Sequence, residues 1–223
     1  TIDMPEDTPI EPQDVMGVDL GVINLATTSD GATHSGAGVE ACRTRYAKRR
    51  QRLQRAATVA QMDGKRPKNI RRALQRMARK EAGFRRDTNH CISKTLVAAC
   101  KGTDRGIALE DLKDIRSRSR FRKPQRARMA GWAFAQLRFF VEYKAQLAGI
   151  PVVIVDPRNT SRGCCHCGHV AKANRPSQAR FSCTACGYTT NADFNAAQNI
   201  KHRAHFKVPL VAVRFRQLQL PLA

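Results

Sequence analysis

Val15-Met16-Gly17-Val18-Asp19-Leu20-Gly21 is a short apolar run, punctuated by glycines, that carries an acidic residue inside it. Asn24-Leu25-Ala26-Thr27-Thr28 follows, and then Ser29-Asp30-Gly31, a turn signal. Together they predict a β-hairpin whose first strand bears Asp19, with a third short strand near residues 32–38. Downstream, Arg105-Gly106-Ile107-Ala108-Leu109 reads as a buried strand ending at Glu110-Asp111. Val152-Val153-Ile154-Val155 reads as another, capped by Asp156-Pro157. Between them Trp132, Gln136, Phe139, Tyr143 and Leu147 mark a helix stopped by Gly149 and Pro151, its aromatic stripe taken as core packing. Strand, hairpin, helices, strand, helix, strand: this alternation predicts an α/β domain around a mixed sheet.

Residues 41–86 differ in kind, with 17 Lys/Arg against Asp63 and Glu81, a net +15. Tyr46, Leu53 and Ala60 recur every seven residues, as do Ile70, Met77, Phe84, Cys91 and Ala98. That spacing predicts two amphipathic helices broken near Asp63-Gly64 and Pro67, a basic helical hairpin over 41–101. A charge run is often only a solvated face. A hairpin this basic favours a surface that tracks phosphates, with Arg49, Arg50, Arg71 and Arg72 as candidate contacts. Residues 113–128 carry eight Lys/Arg and one Asp and read as a loop.

The whole chain has 40 Lys/Arg against 18 Asp/Glu, a formal +22, and 28 of the cations are Arg. An excess this large repels itself unless a polyanion offsets it, and nucleic acid is the obvious one. No run of 18 apolar residues occurs, which excludes a membrane-spanning helix. Residues 1–14 hold five acids, three prolines and no Lys or Arg, and read as an acidic linker rather than a signal peptide. The opening residue is not Met, which suggests a piece of a longer protein.

Eight cysteines are present, and without a secretory signal a metal site plus reduced thiols fits better than a disulfide framework. Cys164-x-x-Cys167 and Cys183-x-x-Cys186, separated by 15 residues, suit one tetrahedral zinc, because each knuckle aims two thiolates at one ion. Gly168 and Gly187 each follow the second Cys of a knuckle, where the chain must curl. With all four positions filled the zinc is expected to be structural. Cys165 and His166 stand close enough to compete as ligands.

Carboxylates carry the second chemical signal. Burying an ionised Asp19 needs a compensating partner. Glu110 ends another buried strand. Asp193 is the only acid after Asp156, at the start of the helix expected over Phe194-Asn195-Ala196-Ala197-Gln198-Asn199-Ile200. Its bland alternative is a helix N-cap, a position Asp fills well. Three carboxylates on separate elements suit hard divalent cations. A pair of Mg²⁺ about 3.5–4 Å apart would serve phosphodiester hydrolysis.

These segments resemble a known family. Gly17-Val18-Asp19-Leu20-Gly21-Val22-Ile23-Asn24-Leu25-Ala26 is similar to the first RuvC motif of TnpB nucleases and type V CRISPR effectors, and Ile107-Ala108-Leu109-Glu110-Asp111-Leu112 to their second. Asn191-Ala192-Asp193-Phe194-Asn195-Ala196-Ala197-Gln198-Asn199-Ile200, behind a zinc ribbon, is similar to the third. Asp156-Pro157-Arg158-Asn159-Thr160-Ser161 resembles the family's approach to that ribbon. The resemblance implies an RNase H-like (RuvC) fold with helical insertions and an inserted ribbon. Its parts would be a linker over 1–14, a nuclease domain over 15–160 and 191–206 split by a ribbon over 161–190, and a tail over 207–223. It further implies a Mg²⁺-binding catalytic triad of Asp19, Glu110 and Asp193, and guide RNA and target DNA as partners. The site of action it implies is the prokaryotic cytoplasm, at the nucleoid. The family's amino-terminal recognition domains are missing from this chain, Asn191 stands where many members have an acid, and Asn159 where an aromatic is common. Three functions compete: RNA-guided DNA cleavage, RNA-guided binding that silences without efficient cleavage, and a bare zinc-ribbon adaptor. The last leaves Asp19 and Glu110 unexplained.

Overall fold

The computed structural model describes residues 7–112 and 134–205; the basic loop expected at 113–128, Trp132 and the tail from 207 lie outside the described residues. The chain opens with β1 (Asp14–Asp19), β2 (Asn24–Thr28) and β3 (Thr33–Ser35), the hairpin and third strand that the sequence predicts. Two long helices follow, α1 (Ala37–Met62) and α2 (Lys68–Cys100), and the break between them falls at Asp63-Gly64, where Gly64 takes a φ of 69°. Then come β4 (Arg105–Glu110), α3 (Phe134–Leu147) and β5 (Val152–Val155). A 3₁₀ turn (Lys172–Asn174), β6 (Arg180–Ser182) and β7 (Thr189–Asn191) precede the last helix, α4 (Ala192–His205).

Five strands form one mixed sheet in the order β3-β2-β1-β4-β5. β1 is antiparallel to β2 and parallel to β4, and β4 is parallel to β5. Because β1 and β4 are covered on both faces, they read as continuous apolar runs rather than alternating ones. Met16, Val18, Ile107 and Leu109 pack against Ile92, Leu96 and Val97 of α2 and Leu137 and Val141 of α3. On the opposite face Val15, Ala108 and Val155 meet Ile200 and Ala204 of α4. The result is three layers, with α4 covering one side of the strands that bear the acids.

That close cover depends on Gly17. A Cβ built there would lie 2.1 Å from the Ala197 carbonyl oxygen and 2.6 Å from the Lys201 nitrogen, so α4 rests directly on β1 backbone. Gln198 completes the contact by donating to the Ser29 carbonyl at 2.8 Å, while Ser29 in turn donates its N–H to the Gly17 carbonyl at 2.8 Å.

Three expectations shift. The sevenfold stripe of α2 holds at Met77 but fails at Phe84, which is 43% exposed, and at Cys91. A straight α-helix has about 3.6 residues per turn, so a repeat of seven drifts roughly 20° each time. By the second half of α2 the buried face has moved to Ile92, Leu96 and Val97. In α3 the buried stripe is Leu137, Val141 and Ala145, whereas Phe139 and Tyr143 lie half-buried beside it. Residues 7–13, read as a solvated linker, run along the end of α3: Asp7 and Ile10 donate backbone N–H groups to the Leu147 and Gly149 carbonyls, at 3.0 and 2.9 Å.

Gly17→Ala is expected to lower stability by about 1–3 kcal/mol, because backbone rather than a yielding side chain occupies the space. Gly83→Ala, in α2 with nothing within 4 Å of its Cβ position, should instead gain about 0.5–1 kcal/mol. Thermal unfolding of the two variants reads both signs.

Candidate metal and nucleic-acid site

The register of the sheet brings two acids together. Val18 pairs with Leu109 across parallel β1 and β4, so Asp19 and Glu110 occupy the next step on adjacent strands. Alternation along each strand then sets them on the side of Val15 and Ala108, the side covered by α4. Asp193 enters from the first turn of that helix. The Asp19 carboxyl is held well above the usual range, first by burial and then by the charges of Glu110 and Asp193, against a lowering by Arg175. Burial likewise raises Glu110, opposed by a hydrogen bond from Thr160 and the charge of Arg203. The Thr160 hydroxyl also reaches the Pro157 carbonyl at 3.0 Å, and its single proton serves one acceptor at a time.

Asp193 is not the cap of its helix. Asn191 takes that role, its Oδ1 accepting the N–H groups of Asp193 and Phe194 at 2.9 and 3.2 Å. The Asp193 carboxylate is thereby left for tertiary partners: Asn24 donates to Oδ2 at 2.8 Å, and Arg175 stands 3.7 Å from Oδ1. Sequence reasoning missed Asn24, Arg175 and the capping role of Asn191. Asn24 and Asn191 lay inside the quoted motifs, but pairing Asn24 with Asp193, 169 residues away, needs the fold. Arg175 sits among other basic residues and carried no signal of its own.

These acids suit a hard cation. Glu110 is 7% exposed and its Oε1, buried, has no hydrogen-bond partner among the described residues. The three acids act on one another through charge at Asp19, but their oxygens are not gathered as the cysteine sulfurs are among the described residues. An orphaned carboxylate oxygen of this kind is stabilised by a hard cation with oxygen ligands, of which Mg²⁺ is one.

The cysteines form a second, separate centre. The sulfurs of Cys164, Cys167, Cys183 and Cys186 all lie within 4.8 Å of one another. Cys164 and Cys186 are 3.8 Å apart, Cys167 and Cys183 3.6 Å. A tetrahedron with Zn–S bonds of about 2.3 Å has edges of about 3.8 Å, so the cluster fits zinc and not a disulfide pair. The two knuckles repeat one hydrogen-bond pattern. Gly168 and Gly187 donate back to the carbonyls of Cys164 and Cys183 at 2.9 and 3.0 Å, with φ values of 76° and 74° that glycine adopts freely. Crowding of the sulfurs splits their titration: the Cys186 N–H draws the Cys183 thiol down to about 6, while neighbouring sulfurs push Cys167 and Cys186 up. Of the competing ligands, His166 stacks on Tyr188 and Cys165 stands outside the cluster.

Along the hairpin, Arg49, Arg71 and Arg72 are exposed. Arg50 is committed instead to Glu81 on the facing helix, a carboxylate only 8% exposed. No helix among the described residues is long and apolar enough to cross a membrane.

The chain is similar to known proteins in sequence and in fold. Residues 2–115, about half of the chain, match the OrfB_IS605 family, described as "Probable transposase", and residues 134–200 match the "Cas12f1-like, TNB domain". The CRISPR-associated endodeoxyribonuclease Cas12f1 of Sulfoacidibacillus thermotolerans is 37% identical over 83% of this chain and 44% of its own. The TnpB-like protein MJ0751 of Methanocaldococcus jannaschii is 29% identical over 70% of this chain and 53% of its own. Among solved structures, the Cas12f1–sgRNA–target DNA complex shares the fold with a TM-score of 0.63 at 20% identity, over 91% of this chain and 52% of the other. The chain thus spans about half the length of the relatives it matches.

Cys183→Ser should abolish zinc binding, which contributes on the order of 10 kcal/mol to folding such a module. Elemental analysis is expected to give one zinc per parent chain and none in the variant.

Proposed function

The chain belongs to the TnpB-like, Cas12f1-related OrfB family of IS605 elements, and we propose that it is the RuvC-type nuclease part of an RNA-guided DNA endonuclease. The observation that carries this reading is the acid cluster: three carboxylates from β1, β4 and α4, with Asp19 raised by the other two and Glu110 Oε1 orphaned. On this reading the fold is RNase H-like. Residues 15–160 and 191–206 make the nuclease domain, and 161–190 an inserted structural zinc ribbon. Guide RNA and target DNA are the partners, engaged together with recognition domains of the same protein. The unpaired thiols suit a reducing prokaryotic cytoplasm, where the protein would act at the nucleoid.

Asp19, Glu110 and Asp193 would hold Mg²⁺, whose chemistry is to lower the pKa of a bound water and to neutralise charge on the scissile phosphate. The chain's own residues do the positioning. β1 and β4 fix Asp19 and Glu110 through backbone pairing, so neither depends on a mobile loop. Asn24 fixes one oxygen of Asp193 and leaves the other towards Arg175. Arg175, whose guanidinium is always charged, can pass from Asp193 to a phosphate oxygen when DNA enters. The hairpin supplies phosphate contacts through Arg49, Arg71 and Arg72. Arg50 keeps α1 and α2 together.

The rival reading, a guided binder that silences without efficient cutting, keeps the same surfaces and differs only at the acids. Asp19→Ala in the full-length guided protein should leave target affinity within a few-fold, since binding rests on guide pairing and basic surfaces. Cleavage should fall by more than the roughly 10–100-fold that losing an outer partner costs. Adding Asp193→Ala should cost little more, because ligands of one site act as a unit. Asp87→Ala, an exposed acid of α2, should still cut. A parent that binds its target in Mg²⁺ and leaves both strands whole would establish the silencer. Arg49, Arg71 and Arg72 changed together to Ala should weaken binding alike across sequences and flatten its salt dependence by up to about 0.9 per lost contact. A sequence-selective loss would count against the phosphate-tracking arm.

A further inference from the structure

Between the zinc centre and the acid cluster lies a short segment, residues 160–165, gripped by two asparagines of α4. Asn195 is fully buried; its Nδ2 donates to the Gly163 carbonyl at 2.8 Å and its Oδ1 accepts the Cys165 N–H at 3.1 Å. Asn199, one turn later on the same helix face, donates to the Thr160 and Gly163 carbonyls, both at 2.8 Å. The segment is tightly wound: Gly163 donates to the Asn159 carbonyl at 2.7 Å, and Asn159 itself has a φ of 57°. Each end of it touches one of the two centres. Cys164 is a member of the cysteine cluster, and Thr160, whose hydroxyl donates to the Pro157 carbonyl at 3.0 Å, lies close enough to Glu110 to lower its carboxyl. Asn195 stands two residues beyond Asp193 in the opening turns of α4.

The ribbon also reaches the acids by a second route. Fully buried Asn174 donates to the Arg162 and His169 carbonyls at 3.0 and 3.1 Å and accepts the Thr184 N–H at 2.9 Å, tying its turn to both knuckles. The next residue is Arg175, the partner of Asp193.

We propose that Asn195 is a positioning residue, which locks the zinc ribbon onto the helix of Asp193 and thereby sets the spacing of Glu110, Asp193 and Arg175. This rests on the reading of the three acids as a divalent-cation site. From a dry position the side chain must donate from one atom and accept at another, which the Nδ2 and Oδ1 of a primary amide do and a single hydroxyl oxygen does not. Alanine would leave the buried Cys165 N–H without its acceptor and free the ribbon to shift on α4. Aspartate would keep the acceptor but set a buried charge against the Gly163 carbonyl. The ribbon is therefore more than an independent zinc-held module: its seating on α4 is part of the geometry of the acid site.

The test compares the full-length parent with Asn195→Ala and Asn195→Ser. Zinc is measured by elemental analysis, Mn²⁺ binding by paramagnetic-resonance titration of the RNA-free protein, and target affinity and cleavage on the guide-loaded protein. Asn195→Ala should keep one zinc per chain and target affinity within about threefold. Its Mn²⁺ half-saturation should rise by about 10–100-fold, the usual effect of losing an outer-shell support, with cleavage partly restored at high Mn²⁺. Asn195→Ser, which retains one hydrogen bond, should fall between. Should Asn195→Ala not fold, Asn199→Ala, at a half-buried position, is judged by the same criteria. Intact zinc with Mn²⁺ half-saturation within twofold of the parent overturns the proposal. So does loss of zinc from Asn195→Ala, which would make Asn195 a support of the ribbon alone. If the parent and Asp19→Ala bind Mn²⁺ alike, the cation-site reading itself is wrong, and the proposal falls with it.

Discussion

Two carboxylates at the same level of adjacent parallel strands are the constraint on which the rest of this fold turns. Asp19 and Glu110 cannot move apart without breaking the β1–β4 register, and burial raises both carboxyls. Their mutual repulsion, with Asp193 added, is strain that the backbone of the sheet is stiff enough to hold. The surrounding devices keep the three close without neutralising them. Gly17 lets α4 lie flat on β1, Asn191 takes over the capping role that would otherwise occupy Asp193, and Asn24 aims its carboxylate. Arg175 at Asp193 and Arg203 at Glu110 supply two positive charges against three acidic groups, so the site remains short of positive charge. On the proposed reading such a site would draw in a divalent ion, and only through that ion a phosphate.

What was legible in the sequence had local causes. The zinc knuckles are spelled out within four residues each, and both glycines that close them stand next to the last cysteine. The strands were readable because two covered faces demand unbroken apolar runs, and the hairpin because Asp63-Gly64 and Pro67 end one helix and begin another. The candidate acids were found because an Asp in an apolar strand is physically expensive, whatever it does. The partners of those acids were not legible. Asn24 meets Asp193, Arg175 leaves the ribbon for the acids, and Asn195 meets Gly163 and Cys165; none of these pairings has a sequence period, since each depends on how layers stack. Arg50 shows the same limit from the other side. Among many arginines of one hairpin nothing local marks it as the one turned inward to Glu81.

Charge is divided between two regions with opposite tasks. The hairpin carries a net +15 over 41–86, on helices whose exposed arginines have few acids to answer them. The acid cluster concentrates negative charge at the end of the sheet, beneath α4. A nucleic-acid backbone is attracted by the first and repelled by the second unless cations intervene. On the proposed reading, binding and chemistry would answer to different ions: monovalent salt would screen the arm, whereas a divalent cation would open the site.

That separation bears on whether such a protein cuts or only binds. On the proposed reading the arm would grip phosphates through long, adaptable side chains, where shifts of an ångström change little. At the acids the tolerance is far smaller, because reactive geometry is lost within about 1 Å. The position of Asp193 is set by α4, and α4 is seated by Gly17 on one side and by the ribbon's asparagine contacts on the other. A relative could keep every carboxylate and every arginine and still lose cleavage through a small change at either seat. On the proposed reading the acids are necessary for cutting, and the packing of one helix would decide whether they work.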